Sequence, residues 1–329
     1  MTKMKTCLIL GGAGYVGWHW SRRLGALKCF DRIVVADLQP PQWPLAPGCD
    51  FVACDVRKPL VLPDIKPDWI FNFAAVHREP GHAKEEYFDT NLAGAKSVSE
   101  FAERTSCLNV FFSSSIAVYG SFAGGLESTK PVTEDSKPYP ATPYGISKLC
   151  AELIHKSWQR GGAGRRLLIC RPGVIYGPGD PGNILRMIRA VRKGYFVFPG
   201  SRNLRKSYAY IEGLLDSFEF VMARPEPKIT YNYVERETET LGALVSIVQS
   251  HFNRKIPVFT APLPMLESIA MVMQVITAGH SPIHPVRVRK TASSTYILPE
   301  TLAKMGFNFK YDFAASLKDW AKKSPNDFL

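Results

Sequence analysis

No two of the seven cysteines stand as a CxxC pair; they are scattered at positions 7, 29, 49, 54, 107, 150 and 170. An odd, unclustered set excludes a disulfide scaffold and points to reduced thiols in a cytoplasmic protein. HExxH is absent, and His280 and His284 stand apart from any cysteine or carboxylate cluster, so no metal site is expected. Nowhere does an uninterrupted apolar run reach membrane length. The opening MTKMKTCLILGGAG has a short apolar run with no small-residue cleavage site, and reads as a first strand rather than a leader. No membrane partner is expected on these grounds. Low-complexity tracts and internal repeats are also lacking, which excludes a solenoid or a disordered chain.

What is present is enzyme-sized: 329 residues, 46% hydrophobic and 21% charged, enough for one large α/β unit or two lobes sharing a cleft. The formal charge of +12 invites a nucleic-acid reading, but Lys and Arg are spread thinly. Their denser groups, Arg186, Arg189, Arg192 and Lys193, then Arg202, Arg205 and Lys206, suit a small diphosphate better than a nucleic acid.

TCLILGGAGYVG reads as a buried strand running into Gly11, Gly14, Tyr15, Val16 and Gly17, then a helix carrying Trp18, Trp20 and Leu24. Glycines spaced in this way allow a tight turn, close backbone approach to a pyrophosphate and close helix-to-strand packing, with the helix N-terminus facing the anion. A second apolar run, Arg32 to Asp37, ends in an acid about twenty positions later, where a ribose-binding carboxylate is expected. Such an acid accepts from ribose hydroxyls and repels a 2′-phosphate, favouring NAD over NADP. Further strands follow at α/β spacing near 51–56, 69–75 and 110–115, with ends carrying Asp55 and Val56, Ala74 and Ala75, and Ser115.

The segment Tyr144-Gly-Ile-Ser-Lys148 places a phenol and an ammonium at i and i+4 of an expected helix, on one face. The lysine charge would pull a phenol pKa of about 10 toward neutrality and make a proton acceptor. Thr142 is a suitable N-cap and Pro143 a suitable first residue, and Gly161 and Gly162 stop the pattern.

GGAGYVG, Asp37, Asp55-Val56, FAAV, Asn91 in DTNLAGA, FFSSSIAVYG, PYGISK and RPGVIYGPGD occur in an order that resembles extended short-chain dehydrogenases/reductases, particularly nucleotide-sugar epimerases and dehydratases. The match covers about the first 180 residues. The resemblance implies a Rossmann-type doubly wound parallel sheet with a smaller, partly interleaved C-terminal substrate lobe. Residues 1–176, rejoined by 206–235, would form the NAD domain, and 177–205 with 236–329 the substrate lobe. It implies that Ser115, Tyr144 and Lys148 form the catalytic group. Tyr144 would take a sugar hydroxyl proton as the carbon gives hydride to the nicotinamide, Lys148 would bind the nicotinamide ribose, and Ser115 would hydrogen-bond the reacting oxygen. Ser113 and Ser114 read equally well as strand-end hydroxyls satisfying backbone. Asn91 would support the helix behind the site, Arg171 would end a strand beside the nicotinamide, and helices near 86–104 and 143–160 would form a homodimer interface.

Ile116 and Ala117 follow Ser115 where dehydratases of this group resemble one another in carrying acids, so dehydration is disfavoured. What remains is NAD-dependent epimerisation of a nucleotide-activated sugar, with a sugar or small-alcohol dehydrogenase as the alternative and a non-catalytic dinucleotide sensor behind both. Asn183, Arg205 and Lys206 are the expected substrate contacts in the second half. His77, beside Arg78, is either a substrate contact or a turn histidine. Lys206 stands where the resemblance leads one to expect a diphosphate-binding arginine, and Val174 where many of these epimerases have asparagine; a point charge lacks the bidentate fork.

Overall fold

Apolar runs of four to seven residues, Val- and Ile-rich and separated by helical segments, pair as parallel strands covered on both faces. The structure is a computed structural model that describes residues 4–77, 81–120, 131–180, 182–254, 256–277 and 285–329. Arg78, His280 and His284 lie outside the described residues.

The strands are β1 (Thr6–Leu10), β2 (Arg32–Asp37), β3 (Cys49–Ala53), β4 (Trp69–Asn72), β5 (Asn109–Ser113), β6 (Arg166–Pro172), β7 (Val174–Tyr176), β8 (Phe198–Pro199), β9 (Tyr208–Tyr210), β10 (Lys228–Tyr233) and β11 (Thr260–Ala261). Seven of them form one parallel sheet in the order β10-β6-β5-β4-β1-β2-β3. The order reverses at β1, so the ends of β1 and β4 open the switch-point crevice where doubly wound sheets bind ligands. Helices α1 (Tyr15–Leu27), α2 (Lys84–Arg104) and α3 (Pro143–Arg160) provide crossovers and cover.

Side chains alternate along β4, which divides the core in two. Ile70 joins Leu8, Val34, Val110, Leu167 and the α2 and α3 residues Val98, Phe101, Ala151 and Trp158 on one face. Phe71 and Phe73 turn to the other, where they pack with Phe111, Trp20 of α1 and Phe218; the Phe111–Phe218 centroids are 4.4 Å apart. Burying each such ring contributes about 1.5–3 kcal/mol.

The chain forms two compact units. The first comprises Met1–Gly120, Lys137–Pro172 and Leu214–Tyr233, and holds the large sheet. The second comprises Ser121–Ser136, Gly173–Gly213 and Val234–Leu329. It carries two short parallel pairs, β7 with β9 and β8 with β11, and α4 (Asn183–Lys193). After α5 (Ile211–Met222), which runs across the junction at Gly213, its remaining helices are α6 (Leu241–His251), α7 (Leu263–Ile276), α8 (Pro285–Thr291), α9 (Glu300–Lys304) and α10 (Phe313–Lys323). The divisions fall at 172 and 213, not at the expected 176 and 206, because β7 pairs with β9 inside the second unit.

Candidate active site

The glycine turn is dictated by contact. A Cβ on Gly11, whose φ is +71°, would lie 2.4 Å from the Ala74 backbone nitrogen, and one on Gly17 would lie 2.5 Å from the Gly11 carbonyl oxygen. Any side chain at either position would push the turn off β4 or α1 off the turn. Gly14 is the N-cap of α1 and brings no capping side chain to the first turn of the helix. Tyr15 and Val16 form the first helical turn, half-buried.

Asp37 closes the same turn from the end of β2. Its carboxylate accepts from the Ala13 N–H at 3.0 Å and the Leu38 N–H at 2.7 Å. Burial pushes its pKa up, opposed by the N–H groups of Leu38, Ala13 and Gly14. A half-buried acid beside a helix N-terminus, over glycines that leave no room for a side chain, fits the adenosine ribose and pyrophosphate of a dinucleotide.

The strand expected at 51–56 ends at Ala53. Asp55 and Val56 therefore lie in the turn beyond it, where Arg57 forks the Asp55 carboxylate at 2.8 Å and holds its pKa below the usual range. Ala74 and Ala75 follow β4 half-buried, and His77 is exposed. Asn91 of α2 pins that loop from below: its amide spans the Val76 N–H and C=O at 3.0 and 3.2 Å and donates to Ser147 Oγ at 2.8 Å.

Gly145, Ser147 and Lys148 of Tyr144-Gly-Ile-Ser-Lys148 each have a physical reason in their contacts. Thr142 Oγ1 accepts from the Gly145 N–H, starting α3 where the capping signals predict. A Cβ on Gly145 would lie 2.4 Å from the Ala117 carbonyl oxygen, so only glycine lets α3 seat against the 3-10 turn Ile116–Tyr119. Ser115 caps that turn, its Oγ accepting from the Ala117 N–H at 3.1 Å. Tyr144 is half-buried, its ring centroid 6.3 Å from that of Tyr87. Ser147 takes the Asn91 bond, and Lys148 is buried, its Nζ donating to the Ser113 carbonyl at 2.7 Å and lying 4.9 Å from the centre of the Phe112 ring. Desolvation brings the Lys148 pKa from 10.5 down to about 7, against the opposing charge of Glu152. The Ser115 turn and the Tyr144–Lys148 turn of α3 thus meet at the end of β5.

Behind them lies a buried polar network that the sequence reading missed. Arg171, expected beside the nicotinamide, spends its guanidinium inside the protein: Nε and Nη2 fork Glu152 at 2.8 and 2.7 Å, and Nη1 donates to Tyr119 Oη at 2.7 Å. The Tyr119 hydroxyl donates to Asn232, and Ser114 Oγ to Glu152 at 2.7 Å. Burial would raise the Glu152 pKa, but Arg171, Lys156 and Ser114 hold it below its ordinary value. Arg171 thus ties Glu152 of α3 to Tyr119 behind the site, and removing either partner of such a buried pair costs about 3–5 kcal/mol. The available signal was Glu152 at i+4 from Lys148, on the same inward face.

In the second unit Asn183 is the exposed first residue of α4. Arg205 Nη1 donates to the Thr238 carbonyl at 2.5 Å, with its guanidinium 5.1 Å from the Tyr296 ring centre. Lys206 Nζ donates to the Ser293 carbonyl, and desolvation lowers its pKa to about 8. Both cations expected to grip a diphosphate therefore bond carbonyls of their own unit, Arg205 at residue 238 and Lys206 at residue 293, where Ser207 and Thr295 add to the fastening. Among the described residues, no group of three or more His, Cys, Asp or Glu is placed to hold a metal ion.

Known proteins share this fold. The model of the NAD dependent epimerase/dehydratase family matches residues 7–233. The chain is 28% identical over 270 residues to the N-acetyl-alpha-D-glucosaminyl-diphospho-ditrans,octacis-undecaprenol 4-epimerase of Escherichia coli O157:H7, covering 77% of this chain and 80% of that one. It is 29% identical over 185 residues to the UDP-glucose 4-epimerase of Lactobacillus helveticus, 54% of each chain. In fold it is similar to the Bordetella bronchiseptica enzyme WbmG in complex with NAD and UDP, with a TM-score of 0.72, 18% identity and coverage of 100% and 98%. The chain belongs to the NAD-dependent epimerase/dehydratase family, and NAD is its cofactor.

Proposed function

We propose that the protein is a cytoplasmic, homodimeric epimerase that inverts a hydroxyl-bearing carbon of a sugar carried as a diphosphate ester, a nucleotide-sugar in the first instance. The observation that carries this reading is the seating of α3 on the Ser115 turn, with Gly145 against Ala117 and Lys148 anchored to Ser113. It sets a serine, a tyrosine and a lysine beside the end of β5, in the sheet that carries the glycine turn.

The backbone at Gly11, Gly14 and Gly17 would hold the NAD pyrophosphate and Asp37 the adenosine ribose, with Tyr15, Val16, Val56, Ala74 and Ala75 around them. The chemistry NAD supplies when bound is reversible hydride acceptance. Tyr144 does the proton work: its Oη takes the proton of the sugar hydroxyl as that carbon is oxidised, and gives it back when the opposite face of the keto-sugar is reduced. Ser115 Oγ hydrogen-bonds the reacting oxygen through both halves, and Lys148 holds the nicotinamide ribose and favours the phenolate. Ile116 and Ala117 offer no second acid or base, so no water is eliminated.

A second reading, that the sugar rides on a lipid diphosphate, is favoured by the span of the Escherichia coli match and by the engagement of Arg205 and Lys206 within their own unit. Incubation of purified protein with nucleotide-sugars and, separately, with polyprenyl-diphosphate sugars decides between them. Epimer formation with no net NADH is expected. Strict dependence on added NAD with stoichiometric NADH would mean a dehydrogenase and overturn the proposal. Tyr144→Phe is expected to lower turnover by about 10²–10⁴-fold while NAD stays bound.

A further inference from the structure

Helix α7, LPMLESIAMVMQVI, is apolar on nearly every side, with Glu267, Ser268 and Gln274 as its exceptions. A helix of that composition belongs in a core. Yet in this chain only Ala270 of its fourteen residues is buried. Met265, Ile269, Val272 and Ile276 recur at i, i+4, i+7 and i+11 along one face, exposed by 48, 48, 55 and 72%. Met271 and Val275, at 57 and 81%, widen that face. Six large apolar side chains on three turns form a contiguous patch of the kind that marks an interaction surface.

The charge of the flanking sequence says what covers the patch. From 254 to 290 the sequence carries Arg254, Lys255, Arg287, Arg289 and Lys290 against Glu267 alone. That single acid is paired with Arg289 at 2.8 Å, and the arginine side chain is still 69% exposed. A second copy docked face to face would set the same basic segment against itself. The helix is too short to span a bilayer, about 21 Å against about 30 Å of hydrocarbon. It also packs on α8.

We propose that α7 is a membrane-surface docking element that lays its Met265–Ile276 face into the headgroup region of a bilayer rich in anionic phospholipid, with Arg289 on the phosphates. This revises the expectation of no membrane partner and stands whichever carrier the sugar rides on.

The test is co-sedimentation of the full chain with phosphatidylcholine vesicles, with and without phosphatidylglycerol. Binding is expected only with phosphatidylglycerol, weakened at about 1 M salt, where the Debye length falls to about 3 Å. The triple variant Ile269→Ser, Val272→Ser, Ile276→Ser should lose about tenfold or more of that binding, and Arg289→Ser a smaller part. Both variants should keep the wild-type thermal transition and NAD binding, because the altered side chains are exposed. Equal binding by wild type and triple variant, no binding to anionic vesicles, or dissociation of a dimer by the triple variant in light scattering would each overturn the proposal.

Discussion

Lys148 carries its charge into a place with little to hold it. Among the described residues its hydrogen-bond acceptor is the Ser113 carbonyl, and burial brings its pKa to about 7. Between about pH 7 and 10.5 the unfolded chain binds a proton at this site that the folded chain does not. The contribution of Lys148 to stability therefore rises with pH across that window and is lost as pH falls through 7. Urea unfolding of NAD-free protein at a series of pH values should show wild type gaining on Lys148→Met from pH 7 upward; a difference that stays flat with pH would contradict the assignment. That Lys148 shares a face with Tyr144 was legible from its i+4 spacing, but not where its ammonium ends. Ser113, Ser114 and Ser115 look alike as sequence, yet one offers a carbonyl to Lys148, one a hydroxyl to Glu152, and one caps a turn.

At the level of the element, α3 begins and stops as its local signals predict, since Thr142, Pro143 and Gly161 act on neighbours along the chain. Gly145 was not legible, because its reason is the Ala117 carbonyl in another element. Gly145→Ala gains up to about 1 kcal/mol in helix propensity. It also forces α3 off the Ser115 turn, and overpacking of this kind costs about 1–3 kcal/mol. Net destabilisation of about 1–2 kcal/mol is expected, with turnover falling more than NAD affinity, because the glycine turn lies elsewhere in the sheet. Calorimetry and NAD titration of the variant check both parts; retained turnover would show that the seating of α3 does not position Tyr144. The strand end at Ala53 was misread for the opposite reason. Cys54 and Val56 continue the apolar run, but the Asp55 carboxylate accepts from the Arg57 N–H and turns the chain.

For the whole molecule, the first strands of the parallel sheet follow from apolar runs at α/β spacing, and its return through Lys228–Tyr233 from what the family resemblance implies. The buried Glu152–Arg171–Tyr119–Asn232 network does not, because it joins four residues from four segments with no shared spacing. Assembly is open to direct measurement. Ile146 and Leu153 of α3 are exposed by 38 and 55%, about two turns apart on the helix expected at the dimer interface. Leu153→Asp should convert a dimer to a monomer in light scattering, whereas an unchanged mass would place the interface elsewhere.

The late arrival of β10 bears on how the chain emerges from the ribosome. β6 lies between β5 and β10, so its outer hydrogen-bonding edge, Arg166–Pro172, has no partner strand until Lys228–Tyr233 has been made. At about 5–20 residues per second, the 55 residues between Pro172 and Lys228 take roughly 3–11 s to synthesise. Asn232, which accepts the Tyr119 hydroxyl, arrives in the same stretch. The nascent sheet thus spends seconds with an open apolar edge and an unfinished polar core, an interval in which a chaperone that shields strand edges would raise the yield of native protein.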